Sequence, residues 1–197
     1  MTKSRYPRSL IEPLLVRTAF PESYRIMSQR HVGSPLGTTP ADSRFATRTG
    51  SYTVLYAAPD FSTAFIETIV RDRFAHRRTR KVALREITER AWVRISSEPS
   101  TRLTLLDLRA DGCTRIGAPT DVVQARNHAA GRALGKTIHA EQADLDGLVY
   151  ASRLTGEDVY AIYDRSVVKL KVGDVGRLDE HVDLPGVLAR HGIGLLV

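Results

Sequence analysis

Short runs of β-branched and aromatic residues alternate along this chain with segments of helical apolar spacing. Tyr24-Arg25-Ile26-Met27 reads as a first strand, apolar except for Arg25. Tyr52-Thr53-Val54-Leu55-Tyr56-Ala57 is a second, dense in strand formers. Between them, residues 33–50 form a loop rich in Gly, Pro, Ser and Thr. It is longer than connections usually are, and such loops carry function disproportionately. Asp60 or Ser62 can cap a helix running to about Phe74. Phe65, Ile66, Ile69 and Val70 spread round its axis, which predicts a buried helix.

Further on, 82–87 and 103–108 read as strands, and 121–140 as a helical stretch broken at Gly131 or Gly135. Residues 147–152 make an apolar strand that ends on the hydroxyl of Ser152. The segments 158–163 and 167–172 are two more strands, the latter alternating, and 184–191 is a last short helix. Residues 1–22, with Pro7, Pro13 and Pro21, predict an N-terminal extension with a short helix near 9–16, followed by one domain over 23–197. Strands outnumber helices and several can join by hairpins, so the predicted class is α+β with a mixed sheet.

Composition narrows the chemistry. The one cysteine, Cys113, permits no disulfide within the chain and suits a reducing compartment. Its turn-like setting, Asp111-Gly112-Cys113, gives it little claim to catalysis. The six histidines show no close ligand spacing, so no metal is expected. No apolar run follows the N-terminus, which predicts a cytoplasmic chain without a membrane segment. A formal charge of +7 attracts polyanions: nucleic acid, a dinucleotide or an acidic protein partner. The densest basic cluster, RDRFAHRRTRK at 71–81, lacks any nucleic-acid signature and reads as a solvated helix end or loop.

Three residues stand out against this background. Glu67 lies on a helix with little polar surface, where a carboxylate costs several kcal/mol unless paired. Either it pairs with Arg71 at i+4, or it is held at the floor of a pocket. Arg25 interrupts an apolar strand and faces away from Tyr24 and Ile26. It points to solvent or forks onto a phosphate or carboxylate. Ser152 lies where a buried strand runs out; no Gly-x-Ser-x-Gly surrounds it, which argues against an ordinary serine hydrolase.

Together, Tyr24-Arg25-Ile26, Ser43-Arg44-Phe45, Val54-Leu55-Tyr56-Ala57, Ala64-Phe65-Ile66-Glu67-Thr68 and Gly147 to Arg153 resemble the RES-domain family, named for its Arg, Glu and Ser. The similarity covers about residues 23–172. It implies an ADP-ribosyltransferase-like fold, with a mixed, split β-sheet and flanking helices around an NAD+ cleft. It also implies the toxin of a toxin–antitoxin pair, held by an antitoxin with a helix-turn-helix (Xre-like) DNA-binding domain, in a hetero-oligomer. Residue by residue, Arg25, Glu67 and Ser152 fill the family triad. Tyr56 fills the family tyrosine at the end of the second strand, and Arg44 the arginine of a Gly-Arg-aromatic motif. Here the chain departs from the family: Ser43-Arg44-Phe45 replaces the more usual Gly-Arg-Trp, and no asparagine follows Phe45.

These residue types suit cleavage of the nicotinamide–ribose bond. The reaction passes through a ribosyl oxocarbenium ion, which a carboxylate such as Glu67 stabilises. Arg25 or Arg44 can fork onto the pyrophosphate. Tyr56 can stack on a ring. Ser152 can bond the nicotinamide amide or a ribose hydroxyl. NAD+ is then a consumed substrate, and no metal is required. No Gly-x-Gly-x-x-Gly is present, which disfavours redox use of NAD+. The expected activity is NAD+ hydrolysis or phosphorolysis. Mono-ADP-ribosylation of a protein is the alternative within the same fold, and a non-catalytic basic binding module is the alternative from another class. The acceptor stays open among water, phosphate and a protein side chain. Arg25, Tyr56, Glu67 and Ser152 are expected to converge on one cleft, with Glu67 mostly buried.

Overall fold

A computed structural model describes residues 4–196 of the chain. In chain order the elements are α1 (Arg8–Ile11), β1 (Leu15–Thr18), β2 (Ser23–Ser28), β3 (Val54–Ala57), α2 (Phe61–Phe65), β4 (Lys81–Ala83), α3 (Arg85–Thr88), β5 (Arg90–Ser96) and β6 (Leu103–Asp107). There follow α4 (Gly112–Arg115), α5 (Asp121–Gln124), α6 (Ala129–Glu141), β7 (Gly147–Ala151), β8 (Asp158–Tyr163), β9 (Lys171–Arg177), α7 (Leu184–Arg190) and β10 (Gly194–Leu196).

A five-stranded sheet runs β1-β6-β7-β8-β3, mixed because β6 and β7 are parallel and the other neighbours antiparallel. A three-stranded antiparallel sheet runs β2-β5-β9, and an isolated bridge between Tyr24 and Ala58 ties it to the first. The period-2 rule sorts the apolar residues into three layers. Leu55, Leu105, Val149 and Ile162 face the gap between the sheets, where Met27, Val93 and Ile95 meet them. Leu106, Leu148, Tyr150 and Tyr163 face the other way, against Leu134 and Ile138 of α6. Ile26 and Trp92 face outward from the second sheet, onto α2, α7 and the turn after α2. The fold class is therefore α+β, with a mixed, split sheet and flanking helices, as the sequence resemblance implies.

Four details differ from the sequence pattern. The 82–87 strand ends at Ala83, and the chain turns into α3, where Ile87 is fully buried three residues after Leu84. The 167–172 strand begins only at Lys171; residues 164–169 coil into a 3-10 helix that leaves Val168 exposed and turns Val167 inward. The 121–140 helix breaks at 125–128, not at Gly131 or Gly135. Those glycines lie inside α6, where a Cβ would stand 2.5 Å from the Arg44 carbonyl oxygen and 2.3 Å from that of Phe45. They admit the loop backbone rather than break the helix. Fourth, β5 was not anticipated, although Ala91, Val93 and Ile95 alternate strictly with more exposed Arg90, Arg94 and Ser96. β1, at the sheet edge, lies within the segment expected as an extension.

The helix that carries Glu67 starts as expected. The Asp60 carboxylate accepts from the Thr63 N–H at 2.8 Å, a side-chain N-cap. Asp60→Ala is expected to cost about 1 kcal/mol. That lowers the melting temperature by about 2–4 °C in a chain of this size, readable by thermal unfolding. The helix stops at Val70 rather than near Phe74. Residues Ile66–Val70 widen into a π-turn, closed by the Arg71 N–H on the Ile66 carbonyl at 2.7 Å.

Candidate active site

A cavity of about 880 Å³ opens where the two sheets part. Arg25 from β2, Arg44 from the 33–50 loop, Tyr56 from β3 and Glu67 from the π-turn all line it. Residues 42 positions apart in sequence thus share one wall because β2, β3 and the helix after β3 meet at the Tyr24–Ala58 bridge.

Glu67 is partly buried, and its carboxylate makes no ion pair with Arg71. The π-turn explains this: the extra residue per turn takes Arg71 off the i+4 row. Arg71 instead donates through Nε to the Glu67 backbone carbonyl at 3.2 Å. The Glu67 carboxylate accepts from Ser152 Oγ at 2.5 Å. Ser152 is only 2% exposed and stands behind Glu67, off the cleft wall. Its oxygen also accepts from the N–H groups of Leu154 (3.0 Å) and Thr155 (3.1 Å). One O–H and two lone pairs are thereby used, and none remains for a nicotinamide amide.

Arg25 donates to the loop carbonyls of Pro35 (2.7 Å) and Gly37 (2.8 Å). It shares the face of Met27, as the alternation predicted. Burial pushes its guanidinium down to about 10, so it stays charged at neutral pH. Two of its five N–H groups are spent on the loop, and three are left over. Arg44 is 7% exposed and donates to the carbonyls of Val122 (3.4 Å) and Ala125 (3.1 Å), with its guanidinium 5.8 Å from the Tyr150 ring centre. The Tyr56 hydroxyl accepts from the Phe45 N–H and donates to Ser43 Oγ, both at 3.0 Å. Tyr56 therefore pins the Ser43-Arg44-Phe45 segment to β3, while Gly131 and Gly135 pin it to α6. Burial raises the Tyr56 hydroxyl above its ordinary range, so it remains protonated.

The cleft is strongly cationic. Eight arginines line it against three carboxylates, Glu67, Asp72 and Glu86. Asp72 binds Arg153 and lies 3.7 Å from Arg126; Glu86 forks onto Arg73. Glu67 is thus the one cleft carboxylate without a cation in contact among the described residues. Burial first, and then Arg44, Arg71, Arg132 and Arg153, push His128 on the cleft wall down to about 4, so its imidazole is neutral at pH 7.

Sequence reasoning missed Asp72, His128, Tyr150 and Arg153 as cleft residues. It read 71–81 as a solvated segment, and most of those residues are exposed, in turns and coil; what it missed is that Arg71, Arg73 and Arg77 also line the cavity. The only signal for the Asp72–Arg153 pair was that each closely follows a named candidate, Glu67 or Ser152. Nothing in the sequence marked His128. Cys113 is buried in α4 beneath Leu108, away from the cleft, and burial raises its thiol.

Fold and site together define a class: an α+β chain whose split sheets open on an arginine-walled cleft large enough for a nucleotide-sized ligand. The RES-domain family model matches residues 15–184, and the chain belongs to that family. A chain of the M. tuberculosis MbcT–MbcA toxin–antitoxin complex has the same fold, with a TM-score of 0.67 over 89% of this chain and 92% of that one, at 14% identity. A protein of Sinorhizobium fredii (strain NBRC 101917 / NGR234), named probable toxin y4kH, is 39% identical over 83 residues, or 42% of this chain. The match spans 65% of that relative's length, just under two thirds. No helix among the described residues is long and apolar enough to cross a membrane.

Proposed function

We propose that this chain is the toxin of a toxin–antitoxin pair and destroys NAD+ at the nicotinamide–ribose bond. The observation that carries the proposal is Glu67, an unpaired carboxylate oriented by Ser152 in an otherwise cationic cleft. The C1′–N bond breaks heterolytically, and its electron pair neutralises the pyridinium of the leaving nicotinamide. The positive charge passes to the ribosyl oxocarbenium ion, which Glu67 stabilises. An acceptor then bonds to C1′ and gives up its proton. Arg25 and Arg44 hold the diphosphate, which the unspent Arg25 donors favour. The Tyr56 ring packs on the substrate. Ser152 acts through Glu67, fixing its rotamer for the ribose.

The partner is an antitoxin that covers the cleft. The charge of the cleft favours an acidic or mixed-charge segment at its mouth, and the fold neighbour comes from a toxin–antitoxin complex. Inducing the chain in cells while measuring total NAD+ tests the reading. NAD+ should fall before growth stops, and co-expression of the neighbouring gene should restore both. Growth arrest at constant NAD+ would contradict it.

A further inference from the structure

Arg71 carries a charge that no carboxylate answers. At the end of the π-turn its backbone takes φ 48° and ψ −131°. L side chains rarely adopt such a conformation, and it persists where the surroundings over-determine it, often at ligand clamps. Two contacts do so here. The Arg71 N–H closes the π-turn on Ile66, and Nε is held by the Glu67 carbonyl. The two terminal amino groups make no hydrogen bond or ion pair among the described residues, and the residue is exposed and lines the cavity. The nearby carboxylates are engaged elsewhere: Glu67 with Ser152, Asp72 with Arg153. Arg71 lines the same cavity as Tyr56 and His128.

We infer that Arg71 is a diphosphate-binding residue, whose free guanidinium edge takes the phosphates while Glu67 takes the ribose. The inference rests on the dinucleotide reading of the cleft. A guanidinium tethered to the carbonyl of Glu67 keeps the anion site at a set distance from the carboxylate. Its planar fork matches two phosphate oxygens, and unlike Arg44 it spends only one donor on the protein. The strained backbone aims the side chain back over the turn that carries Glu67.

The test titrates ADP, which the enzyme does not cleave, into the wild type, Arg71→Gly and Arg71→Lys. Glycine accepts a positive φ, so it removes the side chain without straining the backbone. Arg71→Gly should bind ADP about tenfold to a hundredfold more weakly. Arg71→Lys should fall between, since it keeps a point charge but loses the fork. Nicotinamide riboside, which has no diphosphate, should bind all three alike. Equal ADP affinity in wild type and Arg71→Gly would overturn the assignment and leave the cleft reading intact. Parallel loss of ADP and nicotinamide riboside would make Arg71 a mere support of the cleft and also overturn it. A wild type that binds neither ADP nor NAD+ would sink the cleft reading, and the assignment with it. Should the glycine variant fail to fold, Arg71→Lys decides by the same comparison.

Discussion

Glu67→Gln is expected to lower kcat for NAD+ cleavage by about 10²–10³-fold while NAD+ affinity changes little. Glutamine keeps the shape and can still accept from Ser152, but it removes the charge. That charge matters where positive charge develops on the ribose, which is in the transition state rather than in bound NAD+. Stability should hold or rise. The carboxylate has no cation in contact, so its removal breaks no ion pair and relieves a partly buried charge. A purely structural Glu67 would behave in the opposite way, losing melting temperature and keeping turnover. kcat, NAD+ affinity and melting temperature measured on one preparation separate the two.

The largest expected loss of stability comes from Phe45→Ala. Phe45 is fully buried, edge-on to Tyr150 with ring centres 5.2 Å apart. Its backbone is the knot of the long loop. The N–H binds Tyr56, the carbonyl accepts from Tyr52, and Gly135 of α6 packs against the same carbonyl. Deleting the ring should cost about 3–5 kcal/mol through lost contacts and a residual cavity. Because Arg44 precedes it, the loop should also loosen at the cleft, so activity at low temperature should drop before unfolding begins. Urea unfolding and steady-state rates at 15 °C check both parts. A loss under 1 kcal/mol would show that the loop is held by its backbone contacts alone.

Much of this was legible in the sequence because the relevant signals were local. β2, β3, the Asp60 cap, β7 and β8 each follow from a few adjacent residues. Arg25 faces away from Tyr24 and Ile26 because strands alternate. What escaped were features set by long-range packing. The π-turn at Ile66–Val70 has no local sequence mark, yet it decides that Glu67 meets Ser152, 85 residues on, rather than Arg71. Gly131 and Gly135 look like helix breakers in isolation, but their role depends on a loop some 90 residues earlier. The basic 71–81 segment reads as solvated, and most of it is, but nothing local marks that Arg73 pairs with Glu86 of α3 and lines the cleft. His128 is pushed down by burial first and then by four arginines from different parts of the chain.

The central claim is that this cleft cuts NAD+ between nicotinamide and ribose. Incubating the purified chain with NAD+, with and without inorganic phosphate, and weighing the products tests it most directly. The account predicts free nicotinamide in step with NAD+ loss, with ADP-ribose, ADP-ribose phosphate or ADP-ribosylated protein as the other product according to the acceptor. Intact NAD+ after prolonged incubation, or a cut at the diphosphate that leaves nicotinamide on its ribose, would contradict it.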